Sequence, residues 1–254
     1  MMKSKLLFFL LFVFNLGHGQ SDQLSVSKIN NIEKIINTFK ENNIDIIASM
    51  VKYPLNREYP LPNINNREAL KIRFNEVFDQ ELIERIAHSK VDQWSDVGWS
   101  GIMLDRGVLW IDSDGGQILA VNHQTDLERK LLEKLIAKDK ESLAPSLRHF
   151  KSPVYKILTK RYLIRIDELN NSKYRYTSWK IGQNESSKPD LILNNGELVF
   201  EGSGGNHDII FRNGNYEYEV SRNIIAEKGV AEISLVVKKN GVVILSQDGD
   251  LVIK

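Results

Sequence analysis

The sequence predicts an α+β N-terminal part followed by an all-β antiparallel barrel or sandwich. Two observations carry this. Apolar residues recur at helical spacing up to about residue 140, and from about Pro145 the period changes to two. Three Asn-Gly pairs also punctuate the second half, at Asn195-Gly196, Asn213-Gly214 and Asn240-Gly241. Asn-Gly flanked by alternating apolar residues is the strongest short-range signal for a hairpin.

The chain opens with a third segment. Lys3 and Lys5 precede an apolar run from Leu6 to Leu16, followed by Gly17-His18-Gly19-Gln20. A basic start, a short apolar core and small residues at the cleavage position make a secretory signal peptide. The run is well short of the roughly 20 residues that span a bilayer. Cleavage after Gly19 is expected, giving segments 1–19 (signal), 20–144 (α+β) and 145–254 (β-barrel).

The first helix is expected around Ile29, Ile32, Ile36 and Phe39, capped by Ser25 or Ser27. The apolar run Ile44 to Val51 follows, then a stretch with Pro54, Pro60 and Pro62 that must be a loop or an extended edge. Asn65 and Glu68 resemble a capping pair for a helix carrying Leu70, Phe74 and Val77, and Asp79 caps another carrying Leu82, Ile83 and Ile86. Strand-like runs are expected from Trp99 to Ile111, broken at Asp105-Arg106-Gly107, and from Ile118 to Val121. Thr125 to Glu128 is a capping box opening a helix that ends near Lys140.

In the second half Tyr162, Ile164 and Ile166 alternate with Leu163, Arg165 and Asp167. Tyr174, Tyr176 and Ser178 alternate with Arg175 and Thr177, and Tyr216, Tyr218 and Val220 alternate with Glu217 and Glu219. Eight or more strands at about ten-residue spacing imply a small closed or stacked sheet. Arg165, Arg175 and Lys180 read as a solvated outer face, or as one wall of a site beside Trp179.

Composition narrows the function classes. There is no cysteine, so neither a disulfide nor a lipid-acceptor thiol is present. The mature chain is expected to be released into a periplasm or the medium, with no membrane anchor after signal cleavage. Without Lys3 and Lys5 the charge is about −1, from 32 basic and 33 acidic side chains. No basic stripe stands out, which argues against a nucleic-acid partner.

Candidate sites are few. Glu201-Gly202-Ser203-Gly204-Gly205-Asn206-His207 is the most unusual local feature. Its glycines allow close backbone approach, so it is either a binding loop offering Ser203, Asn206 and His207 at a barrel mouth or a bulge or wide turn between strands. Asp112-Ser113-Asp114-Gly115-Gly116 looks like the opening of a calcium loop, yet the twelfth position is His123, so a turn between strands explains it better. No histidine spacing fits a metal site, and no serine sits in a nucleophile elbow. No metal, no cofactor and no catalytic residue are assigned. Trp99 and Trp110 read as core anchors, with stacking on sugar rings as the other use of an exposed indole.

The N-terminal helix, the run Ala48 to Leu55, the helices from Phe74 to Ile86, and Gly101 to Leu104 leading to Val108 to Ile111 resemble the NTF2-like (cystatin-like) superfamily over about 90 residues. That resemblance implies a cone with a pocket, for which Asp96, Asp105 and His123 would supply polar groups and Trp99 and Trp110 walls. The second half is similar in outline to small exported barrels that inhibit lysozyme. Their Ser-Gly-x-x-Tyr-type loop falls on Ser203-Gly204, and His207 stands where they have tyrosine. Tyr174 to Trp179 and Gly202 to Asn206 also resemble segments of exported two-domain proteins, a resemblance that implies no activity.

The expected function is therefore that of an exported, non-enzymatic binder. Its partner would be a cell-envelope protein, such as a wall-active enzyme it inhibits, or an envelope glycan. The binding residues would be Ser203, Gly204, Gly205, Asn206, His207 and Trp179. A small-ligand or simple acid-base site in the N-terminal pocket is the alternative. The sequence leaves the oligomeric state open.

Overall fold

The structure, a computed structural model, describes residues 24–202, 205–224 and 228–252. The expected signal segment lies outside the described residues.

Helix α1 (Val26–Glu41) starts where the Ser25 side chain accepts from the Lys28 amide and stops at Asn42, which adopts the left-handed conformation. Its buried stripe is Ile32, Ile35, Ile36 and Phe39. The apolar run after it is a short helix, α2 (Ile44–Met50), capped by Asn43. Helices α3 (Arg67–Ile72), α4 (Phe74–Val77) and α5 (Gln80–Ala87) follow. The cap of α3 is Asn66, one residue later than the sequence suggests, and Asp79 caps α5 as expected.

Four short strands, β1 (Trp94–Asp96), β2 (Ile102–Leu104), β3 (Leu109–Ile111) and β4 (Ile118–Val121), form an antiparallel meander. Its buried face is Ile102, Leu104, Leu109, Ile111, Ile118 and Val121, packed with the helices into one apolar core. The part is α+β, as expected. The face that a pocket of the expected cone would use is filled with aliphatic side chains.

Helix α6 (Asp126–Ser142) then runs from this core to the second half. Leu132 is buried along its length, and Ile136 packs against Leu143, Ala144, Leu147, Phe150, Leu163 and Trp179. The segment joining the halves is therefore a packed seam against the outer wall of the barrel.

The second half is a closed eight-stranded antiparallel barrel. Its strands are β5 (Ser152–Thr159), β6 (Tyr162–Glu168), β7 (Tyr174–Lys180), β8 (Leu191–Phe200), β9 (His207–Asn213), β10 (Tyr216–Arg222), β11 (Ile233–Lys239) and β12 (Val242–Leu251). Each pairs with its neighbour in sequence, and β12 closes on β5 through Gly249 to Leu251. A barrel of eight strands is just wide enough for side chains to fill. Ile157, Ile164, Ile166, Tyr176, Phe211 and Val220 do so here.

Two expectations are corrected. Asn213-Gly214 and Asn240-Gly241 do sit at hairpin turns, the latter with both φ angles positive. Asn195-Gly196, by contrast, lies inside β8 as a bulge. A two-residue step in β7, from Tyr174 to Tyr176, is matched there by a three-residue step in β8, from Gly196 to Leu193. Glycine is required at 196 because a Cβ would fall 2.2 Å from the Phe211 ring. The second correction concerns the outer face of β6 and β7. Arg165 and Asp167 are fully buried and Arg175 nearly so, because α6 and residues 143–150 cover them. Three cations (Lys156, Arg165, Arg175) meet three carboxylates (Asp139, Asp167, Glu185) in a neutral cluster, with the Phe150 ring 5.0 Å from the Arg165 guanidinium. Only Lys180 of the expected solvated face remains exposed.

Candidate functional site

The strand directions bring four features to one end of the barrel: the β6–β7 turn, the glycine-rich β8–β9 loop, the β10–β11 connection and the start of β5. The proline-rich loop of the N-terminal part faces this same end. A cleft of about 480 Å³ lies between them. Asn56, Glu58, Tyr59 and Asn63 line it from the loop, and Tyr155, Glu168, Tyr174, Arg222 and Glu232 from the barrel.

The loop is held rigidly. Leu55 and Ile64 exchange backbone hydrogen bonds at 2.8 and 3.0 Å. Arg57, which also lines the cleft, grips Glu128 with both arms of its guanidinium, Nε donating at 2.6 Å, while Nη1 donates to the Val121 carbonyl at 2.6 Å. Bidentate pairing of this kind fixes geometry as well as charge. Glu58 and Tyr59 are thereby presented to the barrel.

On the barrel side the period of two turns Tyr155, Tyr174 and Arg222 toward the mouth. The Tyr155 hydroxyl and Nε2 of His207 are 2.6 Å apart, and the two rings stack at 6.1 Å with a 19° tilt. Burial pushes the Tyr155 phenol up to about 12, against the pull of Arg222. Tyr59 is likewise pushed up to about 12, first by burial and then by the carboxylate of Asp139. Both are neutral donors at ordinary pH. Burial, and then Glu168, raises Tyr174 as well.

Most charges around the cleft are already matched. Glu168 accepts from Lys151 at 2.8 Å, Arg222 donates to Glu232 at 2.6 Å, and Lys156 pairs with Glu185. Glu58 stands apart. Its surface is open to solvent, yet within the concavity its carboxyl is raised from the ordinary value by desolvation first and by Glu128 second. Among the described residues its carboxylate receives one hydrogen bond, a long contact of 3.5 Å from Gln124.

The glycine-rich loop borders this end of the barrel, but its described side chains serve the loop itself. Ser203 and Gly204 lie outside the described residues. Gly205 is in the left-handed region, and its carbonyl accepts from Nδ1 of His207 at 2.7 Å. The side-chain oxygen of Asn206, expected to reach into a partner, accepts from the Ile224 amide at 2.9 Å and so ties the loop to the β10–β11 connection. Trp179 is corrected outright. It is wholly buried on the outer wall of the barrel beneath the seam, its indole donating to the Ser187 carbonyl.

The alternative pocket residues do not converge. Trp99, expected in the core, is 72 % exposed on a short 3₁₀ turn. Trp110 is half-buried in β3. Asp105 pairs with Arg85 at 2.9 Å, His123 lies 3.1 Å from Asp79 at the cap of α5, and Asp96 pairs with Lys28. No hydrogen bond, ion pair or ring contact joins Trp99, Trp110, Asp105 and His123 among the described residues. Asp112 ends its chain reversal as a turn should, accepting from the amides of Asp114, Gly115, Gly116 and Gln117. Burial works against those amides, yet together they hold its carboxyl below the usual value.

Comparison with family models, curated proteins and solved structures finds no match for this chain. The cleft therefore rests on its own geometry.

Proposed function

We propose that this chain is an exported binding protein without chemistry of its own, and that its ligand site is the cleft between the proline-rich loop and the barrel mouth. The ligand class that suits it is an envelope glycan. The observation that carries the reading is the composition of the walls. Three tyrosines (Tyr59, Tyr155, Tyr174) offer flat apolar faces with polar edges, and Asn56, Asn63 and Glu58 offer acceptors and donors between them. Sugars are bound by that combination, since each ring has an apolar face and a rim of hydroxyls. The rigid anchoring of Arg57 and the barrel frame keeps the walls in place before the ligand arrives, which lowers the cost of ordering on binding.

The test is titration of the mature protein with soluble oligosaccharide fragments of cell-envelope polymers. Tyr174→Ala should abolish saturable binding while leaving the melting temperature within a few degrees of wild type. Binding that survives Tyr174→Ala unchanged places the ligand elsewhere.

A second reading draws on the rim. Phe200 is 65 % exposed and Ile224 56 % exposed, on either side of the glycine-rich loop. Apolar side chains grouped at a loop favour a protein surface as partner. An inhibitor of a wall-degrading enzyme would use this rim rather than the cleft. A lysozyme-inhibition assay with wild type and Phe200→Ser distinguishes the two, because the cleft reading predicts no inhibition by either.

A further inference from the structure

We propose that the ligand of the cleft carries a protonated amine, and that Glu58 is the residue that selects it. This deepens the glycan reading and rests on it. The argument is one of charge matching. Around the cleft, Arg222 has Glu232, Glu168 has Lys151 and Lys156 has Glu185. Arg57, the cation next to Glu58 in sequence, has spent its guanidinium on Glu128 and on the carbonyls of Val121 and His123. Among the described residues no lysine, arginine or histidine nitrogen comes within 4.0 Å of the Glu58 carboxylate. Among the described residues Glu58 is thus the carboxylate lining the cleft without an ion-pair partner, Lys151 and Arg57 acting on it only from beyond 4.0 Å.

A carboxylate in such a place interacts more strongly with an incoming cation than it would in bulk water, because the walls exclude part of the solvent. An ammonium also supplies three donors, where Glu58 now receives a single long contact from Gln124. The faces of tyrosine rings attract cations as well, and Tyr59 and Tyr174 line the same cleft. A ligand bearing a carboxylate or phosphate meets the opposite outcome, repelled by Glu58 with no free cation to receive it. The chemistry that fits is an amino sugar with its nitrogen unacetylated, within a glycan whose remaining rings lie against the tyrosines.

The experiment is calorimetric titration at pH 6 of wild type and Glu58→Gln with three probes: a glucosamine tetrasaccharide, its fully N-acetylated counterpart, and spermidine. Wild type should bind the free-amine sugar about tenfold or more tighter than the acetylated one, the range of a charge-assisted hydrogen bond. Glu58→Gln should erase that preference and bring the two sugars to the same affinity. Equal binding of both sugars by wild type, or a preference that persists in Glu58→Gln, overturns the proposal and leaves the glycan reading standing. Spermidine bound in a Glu58-dependent way, with neither sugar bound, overturns the glycan reading and keeps the amine selectivity. No binding of any probe overturns both.

Discussion

Tyr155 donates its phenolic hydrogen to Nε2 of His207 at 2.6 Å, while Nδ1 of the same ring donates to the Gly205 carbonyl at 2.7 Å. The carbonyl can only accept, so it fixes the proton on Nδ1 and leaves Nε2 to accept. The relationship links β5 to the first residue of β9, and through it to the glycine-rich loop. Three glycines in four positions would otherwise leave that loop with little to set its shape.

Tyr155→Phe should therefore destabilise the protein by about 1–2 kcal/mol, since it keeps the ring but strands a half-buried acceptor. It should also speed protease cleavage within residues 201–206. His207→Ala should do both, and the double variant should be little worse than His207→Ala alone, because the two act through one contact. Urea denaturation and limited proteolysis followed by mass spectrometry measure the two effects. Additive losses would show that the pair is not coupled.

The alternation in Tyr162 to Glu168 and Tyr174 to Lys180 was enough to predict strands and their inward faces, and Ser25, Asp79 and Thr125 announce helix starts by local chemistry alone. What could not be read was set by contacts distant in sequence. Arg165, Asp167 and Arg175 have the pattern of a wet outer face until α6 and residues 143–150 are laid over them. Trp179 is buried for the same reason. The cleft pairs residues 56–63 with side chains far along the chain, from Tyr155 to Glu232, and the prolines of that loop spoke only of extended backbone. Tyr155 and Tyr174 carried a usable signal, since the period of two puts both on the inward face near a strand end.

The bulge in β8 shows how a local signal is overridden. Asn195-Gly196 has the same dipeptide as two true hairpins, but here the glycine makes room for Phe211 on the neighbouring strand β9. Gly196→Ala should cost about 1–3 kcal/mol, the range for overpacking a filled core. Combining it with Phe211→Leu should recover part of that loss, giving a coupling energy of the sign expected for a steric clash. The corresponding change at the exposed turn glycine Gly214, where a Cβ meets nothing within 4 Å but φ is +56°, should cost the roughly 1 kcal/mol of left-handed backbone strain and show no coupling to Phe211. The absence of coupling between Gly196→Ala and Phe211→Leu would remove the packing explanation.

Asp167 is the centre of the cluster that fastens α6 to the barrel. It accepts from Arg165 Nε and from Arg175 Nη2, both at 2.7 Å, and is fully buried. Asp167→Asn should destabilise by about 3–5 kcal/mol, because two buried guanidiniums lose their shared counter-ion. Asp45, whose carboxylate pairs with Arg67 and Lys71 at the surface, is the control, and Asp45→Asn should leave the denaturant midpoint close to that of wild type. Denaturant midpoints at constant slope measure both. A loss at Asp167 no larger than at Asp45 would mean the cluster is hydrated in solution.

Glu58 should betray its lack of a partner in the unliganded protein. Its carboxyl is raised from the ordinary 4.5, so the folded state holds the proton more tightly than the unfolded one. Stability then falls as pH rises from about 4.5 through the raised value, and the cost is complete above it. Glu58→Gln has no such cost. The variant should match wild type at pH 4 and be equally or slightly more stable at pH 7, by roughly the 0.5 kcal/mol typical of surface changes. Most substitutions destabilise, so a gain at a solvent-facing cleft residue marks a side chain kept for something other than folding. Urea titrations at the two pH values decide it. If Glu58→Gln were clearly less stable at pH 7, the carboxylate would have a cationic partner within the chain, and the case for an amine supplied by the ligand would fall with it.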